Sequence, residues 1–228
     1  MLLTLLLFGT ARATVPDFPD TWMEEDAPPV AIELAARARA RCSRHWLFNG
    51  EQLPESPGLW QRWRPHRAYG TPEMIDLLEA AAEEMAWVLP DADPLMVGDI
   101  SAPKGGELSG HRSHRGGVDA DLGLYWKDGS MVLGGSSAAM ARRIDPEANW
   151  YLIRSMLDTG DVERILLDQR IVNQLRRWTV DHGELTREQA DRIFWRNPND
   201  MAPWTMTGVV HHYPGHASHM HVRVRCPD

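Results

Sequence analysis

The chain has 228 residues, 43% of them hydrophobic, and a net charge of −8 at pH 7. This length and hydrophobic content suffice for one large domain, or two small ones, with a buried core. The negative charge and the absence of a long Lys/Arg run argue against a nucleic-acid-binding surface. The 10 tryptophans could line a ligand groove, although packing is the more usual role of such side chains.

The N-terminal residues have the composition of an export signal. An apolar run from Leu2 to Phe8 precedes Ala11-Arg12-Ala13, which has the small-x-small pattern of a signal-peptidase site. The run is too short for a bilayer span, which needs roughly 20 residues. We therefore predict a signal peptide over residues 1–13 and a periplasmic or otherwise exported protein without a membrane span. A buried strand is the alternative for this segment.

The chain contains 2 cysteines, Cys42 and Cys226. In an exported protein they could form a disulfide that joins the N-terminal region to the last strand. Two free, buried thiols are the alternative, and the sequence does not decide between them.

The first half of the chain predicts an extension followed by a helix and a strand. Residues 14–70 form an N-terminal extension rich in Trp, Arg and Pro, with one helical piece over residues 32–46. Thr71 and Pro72 predict the start of an amphipathic helix that continues to about Leu89. A short buried strand is expected within residues 94–101, followed by a glycine-rich loop.

The second half predicts alternating strands and helices. Apolar and polar side chains alternate along residues 118–126, which predicts one strand with an apolar and a polar face. Asp128-Gly129 predicts a hairpin turn after this strand. Further helices are predicted after Asp145-Pro146, over residues 170–178 and after Thr186, with strands at residues 162–168 and 219–225. We predict an α+β fold in which residues 71–228 form one domain, with a small antiparallel sheet flanked by helices.

Two of the predicted strands carry ionisable side chains on one face only. Asp121 faces forward on the first strand, with His114 seven residues earlier. His219 and His221 share a face of the last strand, because side chains in a strand repeat every second residue. If the strands are neighbours, His114, Asp121 and one of the final pair can converge into a catalytic zinc set. Solvated histidines on an exposed strand are the alternative, since either spacing alone also occurs by accident.

Two longer stretches carry specific motifs around these residues. Residues 97–122 contain GHRSHRGGVDAD behind a GDIS lead-in, and residues 211–227 contain HASHMHVRVRCP. In these patterns, GHxSHxxGxDxD and HxxHxHVRxRCP, the chain resembles the penicillin-insensitive murein endopeptidases. The family belongs to a wider group of zinc metallopeptidases with lysostaphin, D-alanyl-D-alanine carboxypeptidases and hedgehog proteins. The resemblance is looser between residues 125 and 208.

The resemblance implies roles for five side chains. Zn²⁺ is expected on His114, Asp121 and His221. His219 stands at the position of the catalytic histidine. His216 stands at that of a further site histidine, which orients water or stabilises the tetrahedral intermediate.

Two more residues are expected near the metal in supporting roles. His111, the first histidine of the GHxSH pattern, is expected close to the ion. Asp119 is expected either to hydrogen-bond behind a ligand or to brace the Gly116-Gly117 turn. Arg112 or Arg115 could contact an acidic stem peptide, with surface solvation as the alternative.

The implied activity is zinc-dependent hydrolysis of peptidoglycan cross-links, at the bond between D-alanine and the D-centre of diaminopimelate. One alternative is a zinc carboxypeptidase that trims a terminal D-alanine, for which a closed pocket with an arginine on the free carboxylate is expected. Another is a catalytically inactive wall-binding protein, for which loss of a ligand is expected. The expected substrate is a stem peptide of peptidoglycan, and the oligomeric state is not predicted.

Overall fold

A six-stranded mixed sheet lies at the centre of the computed structural model, which describes residues 45–134, 140–194 and 208–226. The described strands are β1 (Glu51–Gln52), β2 (Trp60–Arg62), β3 (Tyr69–Gly70), β4 (Leu95–Val97), β5 (Asp119–Leu122), β6 (Leu124–Tyr125), β7 (Met131–Val132), β8 (Val162–Leu167), β9 (Val210–His212) and β10 (Met220–Val224). The described α-helices are α1 (Pro72–Val88), α2 (Pro146–Asp158), α3 (Gln169–Asp181) and α4 (Arg187–Ile193). The mixture of helices and sheets agrees with the predicted α+β class.

The strand order of the large sheet is β2-β4-β5-β10-β8-β9. Its inner strands β4, β5, β10 and β8 run antiparallel to one another, whereas β2 with β4 and β8 with β9 are parallel pairs. The prediction of a small antiparallel sheet was therefore wrong at both edges, where the pairs are parallel. The reason is that α1 lies between β2 and β4 in the chain, and α3 and α4 lie between β8 and β9. Such helical crossovers let a strand return in the same direction.

Helix α1 begins and ends where the sequence predicts. The Thr71 hydroxyl accepts a hydrogen bond of 3.4 Å from the backbone N–H of Met74. Pro72 occupies the first helical turn, where its missing N–H would have no intrahelical partner. The buried face includes Met74, Leu78 and Met85, and α1 packs against α2.

The other predicted helix starts are also confirmed. Asp145 caps α2 and Asp168 caps α3 by accepting hydrogen bonds from backbone N–H groups. At α4, Thr186 and Gln189 form the reciprocal capping box. Each cap satisfies N–H groups that the first helical turn leaves without partners.

The strand predicted over residues 118–126 is interrupted at Gly123. Strand β5 ends at Leu122 and belongs to the large sheet, whereas β6 begins at Leu124 and forms the predicted hairpin with β7. A side chain at Gly123 would place its Cβ only 2.7 Å from Cγ of Met131. Close approach of the β7 segment therefore requires glycine at this position.

Residues 45–70 contribute β1, β2 and β3, and β2 pairs with β4 at one edge of the large sheet. These strands and β9 were not predicted, because two or three residues are too few for a periodic signal. The helix predicted over residues 32–46 lies almost entirely outside the described residues, and the predicted domain boundaries stay predictions. Cys226 is disulfide-bonded, and the other cysteine, Cys42, lies outside the described residues. Among the described helices, we find none of the length and apolarity that a bilayer span requires.

Candidate metal centre

The register between β5 and β10 builds the centre of the site. These strands are antiparallel neighbours, with His221 opposite Asp121 and Arg223 opposite Asp119. Side chains directly opposite in such a pair lie close together on one face of the sheet. The alternate residues, represented by Ala120 and Val222, are buried in the hydrophobic core on the other side.

Three side chains converge on this face to form the inner triangle, defined as His114, Asp121 and His221. Oδ1 of Asp121 lies 3.2 Å from Nε2 of His114 and 3.1 Å from Nδ1 of His221. The two histidine nitrogens are themselves 3.1 Å apart. All three residues are buried, so water does not separate them.

The outer hydrogen bonds of the two histidines assign their tautomers. Nδ1–H of His114 donates to the carbonyl of Ile100 at 3.1 Å. Nε2–H of His221 donates to Oδ1 of Asp119 at 2.8 Å. In their neutral forms, both rings therefore direct a lone pair towards the Asp121 carboxylate. Three acceptors at this separation repel one another unless a cation or a proton lies between them.

The spacing of the inner triangle suits a small tetrahedral metal ion. Zinc–ligand bonds of 2.0–2.1 Å imply ligand atoms about 3.3 Å apart, close to the separations of 3.1 to 3.2 Å in the triangle. A second group, His111, His114 and Asp121, also brings one ligand atom from each residue within 4.8 Å. Its nearest approach between His111 and Asp121, from Nδ1 to Oδ2, is 3.7 Å. The set containing His221 is the more compact match.

The electrostatics of the triangle also attract positive charge. Burial opposes ionisation, but hydrogen bonds from His114 and His221 hold the pKa of Asp121 well below its usual range. Burial likewise opposes protonation of His221, yet its hydrogen bonds to Asp119 and Asp121 raise the pKa of this histidine to about 9. A carboxylate that stays ionised and a histidine that attracts a proton are the expected signs of a cation site.

Asp119 is held from behind by Arg223, which strand alternation places on the same face as His221 but for which the sequence predicted no role. Nε of Arg223 donates to Oδ1 of Asp119 at 2.8 Å, and Nη2 donates to Oδ2 at 3.0 Å. Burial opposes its ionisation, but hydrogen bonds from His221 and Arg223 lower the pKa of Asp119. Asp119 was expected either to hydrogen-bond behind a ligand or to brace the Gly116-Gly117 turn, and the structure shows its side chain hydrogen-bonded to His221. The alternation of the last strand, with Arg223 two residues beyond His221, was the signal for this pair.

His216 and His219, here called the outer pair, lie at the edge of the triangle. Nε2 of His219 is 3.7 Å from Oδ1 of Asp121, and the ring centroids of the outer pair are 4.8 Å apart. Nδ1–H of His216 donates to the carbonyls of Tyr213 and Pro214 at 3.2 and 3.1 Å. Burial lowers the pKa of both histidines, that of His216 to about 4. Both are therefore neutral near pH 7 and able to accept a proton.

A second buried carboxylate, Asp99, supports His111. Burial lowers the pKa of His111, and its Nε2–H donates to Oδ2 of Asp99 at 3.0 Å. The same oxygen accepts hydrogen bonds from Arg64 and Arg67. In the sequence, the GDIS stretch is recognisable only as part of the family pattern, and nothing in it predicts that its aspartate joins the site.

A cavity of about 240 Å³ opens beside the inner triangle. It is lined by Trp63, Arg64, Asp99, Asp121, Leu133, Gly134 and His219. Asp121 and His219 connect it with the histidine cluster, and Trp63 and Arg64 belong to the segment before α1. A volume below the 300 Å³ or so of a typical ligand pocket suits one residue of a longer substrate.

Comparison with known proteins agrees with this arrangement. Residues 40–189 match the family model described as penicillin-insensitive murein endopeptidase. A protein of that name from Haemophilus influenzae is 33% identical, with 98% of this chain and 76% of the relative covered. One from Yersinia enterocolitica is 28% identical, with 99% and 76% covered, and one from Klebsiella pneumoniae is 25% identical, with 99% and 77% covered.

A buried carboxylate and buried histidines grouped beside a cavity are typical of metal-dependent hydrolases. The chain belongs to the penicillin-insensitive murein endopeptidase family. The family resemblance predicted from the two motif stretches is confirmed.

Proposed function

We propose that this protein is an exported, zinc-dependent endopeptidase that hydrolyses the peptide cross-links of murein. The observation that supports it most strongly is the inner triangle, where two histidine nitrogens and one carboxylate oxygen, all buried, lie 3.1 to 3.2 Å apart. Family membership supplies the substrate class, because the matching relatives are named murein endopeptidases. The bond expected to be cleaved joins D-alanine to the D-centre of diaminopimelate.

The residues that would hold zinc are His114, Asp121 and His221. They supply two imidazole nitrogens and one carboxylate oxygen, the donor set of a catalytic zinc site with room for further ligands. When bound, zinc supplies a Lewis acid that lowers the pKa of water to about 7 and polarises a carbonyl. Asp119 orients His221 through its hydrogen bond of 2.8 Å, and Arg223 in turn orients Asp119. Such outer hydrogen bonds fix the ring and raise its basicity as a ligand.

The outer pair supplies the proton transfers. His219 is neutral near pH 7 because burial lowers its pKa, and it faces the cavity. It accepts a proton from the water that attacks the scissile carbonyl, and later gives that proton to the departing amine nitrogen. His216, adjacent to His219, would donate a hydrogen bond to the tetrahedral oxygen only with a proton on Nε2, because its Nδ1–H is held by two loop carbonyls.

The decisive experiment combines metal analysis with digestion of murein. Protein from residue 14 onward is analysed for bound zinc and incubated with sacculi, and the products are resolved by mass spectrometry. The expected results are about one zinc per chain and conversion of cross-linked dimers into monomers. His219→Ala should retain zinc and lose about 10²- to 10⁴-fold in rate, the usual contribution of a general base.

A matched control is His182→Ala. His182 follows α3 and stacks on Trp178, and it is not among the described residues that line the cavity, so its loss should leave zinc content and rate unchanged. Release of free D-alanine without loss of dimers would instead identify a carboxypeptidase. Zinc binding with neither product would identify a wall-binding protein, and a chain without affinity for metal would contradict the proposed site.

A further inference from the structure

The cavity beside the inner triangle has a cation that the proposed chemistry does not use. Arg64 lines the cavity together with Trp63, Asp121 and His219. Its side chain is 45% exposed, and Nη1 donates to Oδ2 of Asp99 at 3.2 Å. The guanidinium carries five N–H donors, so donors remain for a ligand in the cavity.

The charges around Asp99 do not cancel. Arg64 and Arg67 both contact the same Oδ2 atom, at 3.2 and 2.9 Å. Two guanidinium groups on one carboxylate leave one positive charge in excess at Asp99. Arg67 also donates to the carbonyl of Ser109 and is only 18% exposed. The excess charge is therefore presented to the cavity by Arg64.

The other oxygen of Asp99 is a second sign that the cavity receives a polar ligand. Oδ1 is buried and has no hydrogen-bond partner among the described residues. Buried acceptors of this kind are uncommon, because the lost hydrogen bond with water is not replaced. A ligand with an N–H group beside a carboxylate would complement both Asp99 Oδ1 and Arg64.

We infer that Arg64 is a specificity-determining residue that binds a free carboxylate on the leaving-group side of the scissile amide. The inference deepens the proposed function and rests on it. In a cross-link to the D-centre of diaminopimelate, the carbon attached to the scissile nitrogen carries a free carboxylate. Arg64 and Asp99 line the same cavity as Asp121 and His219, so a carboxylate next to the scissile N–H would reach Arg64 while the amide lies beside Asp121 and His219.

Two other arginines were candidates for this contact on sequence grounds. Neither Arg112 nor Arg115 is among the described residues that line the cavity. Arg115 instead pairs with Glu107 at 3.5 Å, and Arg112 is exposed. The structure therefore assigns the role to Arg64.

The test uses two cross-linked peptide substrates that differ in one group. One has the free α-carboxylate at the D-centre, and the other has a neutral carboxamide there. The zinc-loaded wild type should cleave the acid with a kcat/KM about 10- to 100-fold higher, the range expected for a charged hydrogen bond. Arg64→Gln should remove this preference, so that kcat/KM for the acid falls to about the value for the carboxamide. Arg177→Gln, an exposed arginine of α3, is the matched control and should behave as wild type.

Each result has a distinct meaning. Failure of the wild type to cleave either substrate would overturn the proposed function itself. Cleavage of both at equal rates would leave that function standing and overturn the role of Arg64. The same follows if Arg112→Gln, rather than Arg64→Gln, removes the preference.

Arg64→Lys is the second variant, to be used if Arg64→Gln does not fold as judged by its zinc content and thermal unfolding. It keeps the positive charge but loses the planar fork that matches a carboxylate. We expect it to reduce the preference for the acid at least threefold, roughly the loss of one weak hydrogen bond. An unchanged preference would overturn the inference.

Discussion

The inner triangle and the outer pair contain the same kind of side chain in two different settings. His114 and His221 are buried, and each donates its outer N–H to a fixed protein acceptor. His216 and His219 are half-buried. Of these, His216 is held by two loop carbonyls, and His219 by a longer contact of 3.4 Å with the Ser218 hydroxyl.

The difference separates binding from proton transfer. A ligand histidine must keep one nitrogen deprotonated and aimed at the metal, and a strong hydrogen bond on the other nitrogen does this. A general base must instead change protonation state during each turnover, so it needs an accessible nitrogen and a pKa that leaves it neutral. Neighbouring carboxylates raise the pKa of His221 to about 9, whereas burial lowers the pKa of His216 to about 4.

The largest effect is expected from a change in the triangle itself. Asp121→Asn keeps the size of the side chain but removes its charge, so the two histidines lose the anion that completes the metal site. We expect zinc content to fall to near zero and activity to fall by about 10³-fold or more, since metal catalysis contributes several kcal/mol. Metal analysis and sacculus digestion measure both. A fully zinc-loaded, active Asp121→Asn protein would contradict the proposal that the triangle, through the Asp121 carboxylate, holds the zinc ion.

An intermediate effect is expected one hydrogen bond behind the triangle. Asp119→Asn weakens the contact with His221 and leaves Arg223 without its carboxylate. Zinc affinity should fall by about 10- to 100-fold, the usual effect of losing such an outer partner. Competition with a chelator of known affinity gives the value. Asp128→Asn on the β6–β7 turn, where the carboxylate contacts only Ser130 and Arg143 among the described residues, is the matched control. Equal effects of the two variants would contradict an orienting role for Asp119.

The smallest effect is expected at His111 and would decide between the two possible metal sets. If His114, Asp121 and His221 hold the ion, His111→Ala should weaken zinc binding by less than about 10-fold, below the range of a lost outer partner. The same chelator competition applies, with His182→Ala as reference. Zinc loss as complete as that of Asp121→Asn would show instead that His111, His114 and Asp121 form the binding set.

Local features of the fold could be predicted because they depend on near neighbours in the chain. Thr71 with Pro72, Asp145 with Pro146, and the Thr186–Gln189 box mark helix starts through hydrogen bonds that span three residues or fewer. Alternation with a period of two places His219, His221 and Arg223 on one face for the same reason. The break at Gly123 was not predictable, since it depends on Met131 in the following strand.

The sequence by itself thus determined the helix ends, the polar face of the last strand and the family to which the chain belongs. Only the tertiary structure decided that β5 and β10 are neighbours, with His221 opposite Asp121 across 100 residues of chain. It also decided that Asp99 gathers Arg64, Arg67 and His111, and that Arg64 and Asp99 line the cavity beside the triangle. The physical reason is that strand order and register depend on how the whole core packs, whereas caps and alternation depend on a few adjacent residues.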